Sequence, residues 1–247
     1  MNNEEQQIEK LKEYKKSLIT EVATKGLDKN APMKDSGVQW IGKIPKHWKE
    51  KKVKFIVDRI SKGKGITKDE IREDGNTCCV RYGEIYSKYN YSFDKCISRT
   101  NDNFIEPKEY FEYGDILCAG TGELIEEIGK SIVYLGKEKC LAGGDIIIIK
   151  HKQEPRFLNY ALNSIYAQIQ KSAGKIKLKV VHISASDIGN IILAIPPIDE
   201  QEKIADYIDS KSSYINKLME IKKKKINELT EYKKSLIYEY VTGKKEV

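Results

Sequence analysis

The sequence is short of proline, histidine and tryptophan, with 6 Pro, 3 His and 2 Trp in 247 residues, and it has no long apolar run. No stretch approaches the ~18–20 consecutive apolar residues of a membrane span. The opening MNNEEQQIEK is polar and lacks the apolar core of a signal peptide. A cytoplasmic chain with no membrane segment is expected. The five cysteines include no CxxC: Cys78 and Cys79 are adjacent, and Cys96, Cys118 and Cys140 are scattered. An odd, unpatterned set fits reduced thiols rather than a disulfide framework. His47, His151 and His182 lie far from any cysteine cluster in the sequence, so spacing points to no zinc site, and no metal is expected.

Motifs for chemistry are missing as well. Gly63-Lys64-Gly65 is not followed by the GxxxxGK[ST] of a P-loop. There is no DxGxGxG cofactor loop and no NPPY-type motif, the PPI at Pro196 being a different sequence. The one tidy grouping of acid and lysine, Glu220 to Lys222, falls where acids and bases alternate along a helical stretch, the pattern of a solvated face. No Ser/His/Asp set can be argued from spacing. The chain is therefore expected to catalyse nothing by itself and to hold no cofactor. What it does have is charge. Its 44 Lys+Arg against 37 Asp+Glu leave a net +7, a moderately basic balance that points toward nucleic acid.

Proline and glycine are both absent from Asp199 to Val241. A continuous helix of that length is roughly 60 Å long. Apolar residues recur on a four-three spacing at Ile204, Ile208, Ile215, Leu218, Leu229, Tyr232 and Leu236, the seam of a coiled coil. Lys211, Lys222 and Lys225 interrupt it, while Ile221 and Ile226 sit beside it. So narrow a stripe needs another helix to cover it. Pro196-Pro197 and Asp199 mark the start, with Glu200 and Glu202 where the helix dipole favours acids; Gly243 marks the end.

The front of the chain copies the back of this helix. LKEYKKSLITEVAT, from Leu11, and LTEYKKSLIYEYVT, from Leu229, agree at ten of fourteen positions at an offset of 218. Lys-rich helical composition accounts for the Leu, Glu and Lys matches, but hardly for Tyr14/Tyr232, Ser17/Ser235 and Thr24/Thr242 in one register. The expected organisation is a short helix over 1–26, a globule over 27–195 and a long coiled-coil helix over 196–247. It reads as one period of a cyclic helix–globule–helix arrangement.

The globule reads as α+β, without regular strand–helix alternation. Both Trp fall in Ser36 to Trp48, where they lock a connector onto the core or stack on bases. Lys49 to Ile60 carries Val53, Phe55 and Val57 at period two. Cys78 to Ile85, Tyr113 to Cys118, Ser131 to Leu135, Asp145 to Lys150 and Ile191 to Ile195 read as strands, and Phe157 to Gln170 as one amphipathic helix closed by Gly174.

Three segments of the globule have the chemistry for nucleic acid. In Glu84 to Asn101, Tyr86, Tyr89, Tyr91 and Phe93 interleave with Lys88, Asn90, Lys95 and Arg99. Aromatic, amide and cationic groups suit base edges and phosphates, although a β-hairpin with its tyrosines packed on one face fits equally. Gly120, Thr121 and Gly122 permit close backbone approach, to a phosphate or simply in a turn. Lys175, Lys177 and Lys179, followed by His182, would share one face of a strand, as a solvated edge or a phosphate-facing one.

Four stretches carry a resemblance. MKDSGVQWIGKIPKHW near the start, YGDILCAGTG…IGKSIVY in the middle, the basic loop ending VHIS, and PPIDEQEKIADYID leading into the long helix together resemble the specificity subunit of a type I restriction-modification system. The resemblance covers essentially the whole chain. Members of that family usually carry two target-recognition domains separated by two long antiparallel helices, each domain reading half of a split DNA sequence. Here one such domain is present, with one complete helix and the tail of another. The resemblance implies a non-catalytic, sequence-specific DNA-binding subunit. It implies helices that act as a spacer and dock modification subunits, which carry S-adenosylmethionine, with restriction subunits joining the complex. On this reading Tyr86, Lys88, Asn90, Arg99, Thr121, Lys175, Lys177, Lys179 and His182 are the candidate DNA contacts. The alternatives are a coiled-coil scaffold whose globule binds protein, or a self-contained nuclease.

The first helix is expected to lie antiparallel to the long one, with Ile8, Leu11 and Leu18 against Ile204, Ile208 and Ile215. That leaves Ile226, Leu229, Tyr232 and Leu236 bare, a stripe that seldom stays exposed. A second copy is expected to cover it in a two-fold dimer reading an inverted, interrupted repeat, the polar start at Met1 reading as a natural chain end. Pairing with a different half-subunit, on an asymmetric target, is the competing arrangement.

Overall fold

The computed structural model describes residues 2–64, 66–101, 109–176 and 180–244. The chain divides into two compact units, one made of Met1–Leu18 with Asp206–Val247 and the other of Ile19–Ala205.

The first unit takes in the greater part of two helices. The first helix spans Asn2–Lys25 and the long helix Ile198–Val241, 44 residues without a break. Gly26 and Gly243 end them with φ of 76° and 68°, the left-handed conformation that closes helices and suits glycine. The two helices run antiparallel. Lys15 Nζ donates to Asn216 Oδ1 at 3.0 Å, and nearer the start Lys225 and Lys222 Nζ reach the Glu4 carboxylate at 2.6 and 3.1 Å. Lys222 also donates to Gln7 Oε1. Hydrogen bonds from Lys225 first, then Lys222, hold the Glu4 carboxyl below its ordinary range.

The antiparallel sense is as the sequence implies, but the register is not. Ile8 is buried between the Glu4 and Lys15 ties, by the stretch from Asn216 to Lys222, which lies just beyond the Ile215 end of the seam formed by Ile204, Ile208 and Ile215. Lys222 and Lys225, which interrupt the apolar seam, are the partners of an acid at the front of the first helix. The ion pairs fit this register. Ile208 and Ile215 are buried and Leu218 half-buried. Beyond Lys225 the stripe is open: Leu229 is 39% and Tyr232 62% exposed, and Ile237, Tyr238 and Tyr240 are exposed too.

The second unit is α+β. A five-stranded sheet orders Val57–Lys62, Ile146–His151, Ile116–Ala119, Ser131–Tyr134 and Ser92–Phe93, with only the last junction parallel. A four-stranded sheet orders Ser98–Thr100, Thr77–Val80, Cys140–Ala142 and Tyr110–Phe111. The DIIIIK run lies second in the larger sheet, and all four isoleucines are buried, as a continuous apolar run requires. The rings of Phe93, Phe111 and Tyr134 meet at centroid distances of 5.0 to 6.2 Å within one apolar cluster that also holds Leu117, Ile132 and Ile148.

Several local expectations give way to tertiary contacts. The single helix expected over Phe157 to Gln170 is two, Pro155–Leu162 and Ile165–Ser172. Asn163 leaves the helical path because its amide grips Ser131, accepting from its N–H and donating to its carbonyl. Ser164 then caps the second helix by accepting from Ala167 N–H. The period-two segment over Lys49 to Ile60 is interrupted by a 3-10 turn at Val53–Phe55, and Phe55 is 70% exposed. The strand expected from Cys78 to Ile85 ends at Val80, and the helix Tyr82–Ser87 follows, because the Glu84 carboxylate turns back to accept from Arg81 N–H. Of the two tryptophans, Trp48 is buried and locks the connector, whereas Trp40 is 41% exposed.

Burial pushes the His151 imidazole down from 6.5 to about 4. The unfolded chain therefore takes up a proton below pH 6.5 that the folded chain refuses until about pH 4, so stability falls as pH drops through that window. Urea unfolding at pH 7 and pH 4.5 should show an acid loss in the native chain that shrinks by up to about 3 kcal/mol in His151→Gln; equal losses in both would rule out the buried neutral imidazole.

Candidate nucleic-acid interface

Among the described residues of the basic stretch from Lys175 onward, a strand forms at Val181–His182. That strand pairs antiparallel with Thr121–Gly122, setting Thr121 opposite His182 and Gly122 opposite Val181. Two candidate residues distant in sequence thus meet: Thr121 Oγ1 lies 3.1 Å from His182 Nδ1. Thr121 is buried behind an exposed His182. Gly120 N–H donates to Asp145 O at 2.7 Å and Gly120 O accepts from Ile183 N–H, so these backbone groups serve the fold rather than a phosphate.

Tyr86 closes the other side of this loop. A Cβ on Gly122 would stand 2.7 Å from the Tyr86 hydroxyl, an approach that only glycine permits. The hydroxyl points to Glu127 O at 3.4 Å, and burial raises its pKa. Lys130 Nζ donates to the Tyr86 and Tyr89 carbonyls at 3.4 and 3.0 Å. Of the interleaved aromatics, Tyr89 and Phe93 are buried in the core and stack on each other at 4.4 Å. Packing therefore claims those rings, while Lys88 and Asn90 stay exposed.

Lys175 Nζ bonds Asp187 Oδ2 at 2.8 Å. The lysine first, then Ser184 N–H, pulls the Asp187 carboxyl down. Lys175 and His182 border a cleft of about 370 Å³, together with Lys62 and Asp145. A second cleft of about 610 Å³ is bordered by Lys68, Arg81, Lys88 and the Gly143–Asp145 turn. Asp145 borders both, and Lys62 Nζ stands 3.3 Å from it. Around the two clefts five cations meet three carboxylates, Glu84, Asp145 and Asp187. The balance is positive, which suits a phosphate backbone.

The fold thus brings Lys88, Lys175 and His182, with Thr121 and Tyr86 behind them, to adjoining clefts. Arg99 is placed differently: its guanidinium donates to Gly75 O at 2.8 Å and Asn76 O at 3.3 Å, holding a loop of the four-stranded sheet. Lys177 and Lys179 lie outside the described residues. Lys62, Lys68 and Arg81 were not singled out by sequence; the GKG loop beside Lys62 was the available signal. Among the helix-seam residues, Ile204, Ile208 and Ile215 are buried, Leu218 and Leu236 half-buried, and Leu229 and Tyr232 exposed. No helix among the described residues is long and apolar enough to cross a membrane.

Comparison with known proteins gives the family. Residues 45–231 match the family described as the type I restriction modification DNA specificity domain. The chain is 28% identical to the type I restriction enzyme MjaVIII specificity subunit of Methanocaldococcus jannaschii, over 98% of this chain and 56% of that protein. It is 26% identical to the putative MjaX specificity subunit of the same organism, over 73% of this chain and 44% of that one. Its fold is similar to a chain solved in work on complex assembly and conformational transition of the type I R-M system, with TM-score 0.70 and 15% identity over 96% of this chain and 53% of that one. It is also similar to the HsdS subunit from Thermoanaerobacter tengcongensis, with TM-score 0.61 and 15% identity over 96% and 52%. The chain spans about half the length of these relatives. Matched over more than half of its own length, it belongs to the type I restriction-modification DNA specificity family.

Proposed function

We propose that this chain reads one half of a split DNA target for a type I restriction-modification complex and carries out no catalysis itself. The observation that supports this most is the pair of adjoining clefts, where cations outnumber acids around Lys88, Lys175 and His182. Lysines at the rims contact phosphates and set affinity and register. The exposed Asn90 and His182 offer donors and acceptors to base edges. The helices serve as spacer and dock modification subunits, which supply S-adenosylmethionine; restriction subunits join that complex. A second copy of this chain covers the open stripe at Leu229, Tyr232 and Leu236, so that the pair reads an inverted, interrupted repeat.

Replacing Lys88 and Lys175 together by Ala should weaken DNA binding of the assembled methyltransferase on every sequence. It should also flatten the dependence of log K on log salt by about one unit per lost phosphate contact. An unchanged slope in a filter-binding titration would remove the clefts from the interface.

The purified chain should transfer no methyl group alone, and should direct sequence-specific methylation once its modification subunit and S-adenosylmethionine are added. Radiolabel transfer by the isolated chain would contradict the non-catalytic reading.

Light scattering at micromolar concentration should show a dimer that Leu229→Asp and Leu236→Asp dissociate. A chain that stays monomeric, indifferent to either substitution, would favour pairing with a different half-subunit.

A further inference from the structure

Three of the five cysteines, scattered in the sequence, meet in the fold. Cys78 and Cys140 lie on neighbouring parallel strands, where Cys79 pairs with Leu141 and Val80 with Ala142. The preceding residue of each strand is thus brought alongside the other, and the two Sγ atoms stand 2.9 Å apart. Cys96 comes in from the segment leading to Ser98–Thr100, and all three Sγ atoms lie within 4.8 Å of one another. A Glu138 carboxylate oxygen stands 3.2 Å from Cys78 Sγ, and the Tyr134 hydroxyl 3.5 Å from Cys140 Sγ. Cys78 and Cys140 are buried and Cys96 half-buried, while the Glu138 side chain is 64% exposed.

Thiols are poor hydrogen-bond partners for one another, so their mutual contact does little as it stands. Gathered within 4.8 Å of one another, the three sulfurs can close on a shared ion, with the 2.9 Å Cys78–Cys140 pair opening as it enters. Zinc–sulfur bonds of about 2.3 Å at tetrahedral angles set sulfurs about 3.8 Å apart.

We propose that Cys78, Cys96 and Cys140, with Glu138 as fourth ligand, form a structural site for a thiophilic divalent metal, zinc foremost. Binding converts the three thiols to thiolates and releases their three protons to solvent. Three thiolates and a carboxylate leave the bound ion with a net negative charge. Arg99 Nη1, 3.7 Å from the Glu138 carboxylate, offsets part of it, and the Tyr134 hydroxyl donates to the Cys140 sulfur. Glu138 gives the ion a path in from solvent. Four protein ligands leave no open position, so the site holds structure rather than catalyses. It ties Cys96 to the four-stranded sheet and so closes the segment from Tyr82 to Ser98, which carries Tyr86, Lys88 and Asn90. The site stands on its own geometry and survives failure of the DNA reading.

The test is cobalt titration of the whole chain, purified with reductant and chelator and then freed of both under anaerobic conditions. The expected result is thiolate charge-transfer absorption with the visible bands of tetrahedral cobalt, saturating at one ion per chain and displaced by zinc. Cys96→Ala, at the least buried of the three cysteines, and Cys140→Ala should each abolish these bands while leaving far-ultraviolet circular dichroism unchanged. Cys118→Ala, a buried cysteine outside the cluster, should keep them. Absence of the bands in the folded native chain, or their survival in both ligand variants, overturns the site. A Cys78–Cys140 disulfide in the reductant-purified chain, read as a peptide mass two hydrogens short, overturns it equally.

Discussion

The long helix carries an apolar stripe that only another helix can bury, and the chain's first helix covers part of it. Glu4, near the start of the first helix, takes both Lys222 and Lys225, so the two cations that break the apolar seam also mark where the cover stops. Past them Tyr232, Tyr238 and Tyr240 lie exposed. The bare segment from Leu229 to Thr242 repeats, with few changes, the segment from Leu11 to Thr24 that does the covering. A helix end with the sequence of its own cover is suited to another helix of the same kind. The proposed pairing of two copies rests on this.

In the globular unit the recurring device is close approach. Gly122 admits Tyr86, and Thr121 meets His182 across a two-residue strand pair. These contacts fix loops that carry cations at their rims. Packing uses the aromatic rings, and the charges are left at the surface. The division suits a binding surface whose contacts with a polyanion are electrostatic and whose geometry must nonetheless be rigid enough to read base edges. The proposed metal site extends the same logic, since it would anchor the far end of the segment bearing Lys88.

Much of this was legible in the sequence where the signal is local. The absence of Gly and Pro from Asp199 to Val241 defines the long helix to within one residue, and DIIIIK reads directly as a buried strand. What was not legible depends on partners far along the chain. Asn163 breaks a helix because Ser131, 32 residues away, accepts its amide. Lys175 reads as a free cation until the fold places Asp187 beside it. The cysteines have no motif because strand pairing, not spacing, brings Cys78, Cys96 and Cys140 together. Arg99 has the composition of a base-reading residue, but the fold turns its guanidinium onto the carbonyls of Gly75 and Asn76.

In the proposed pairing, one globule reads one half-target and two copies supply both halves. Mapping every methylated base on genomic DNA treated with the complex of this chain and its modification subunit tests it most directly. The expected motif is two identical inverted halves separated by an unread spacer. A contiguous motif, or two unrelated halves from this chain alone, would contradict it.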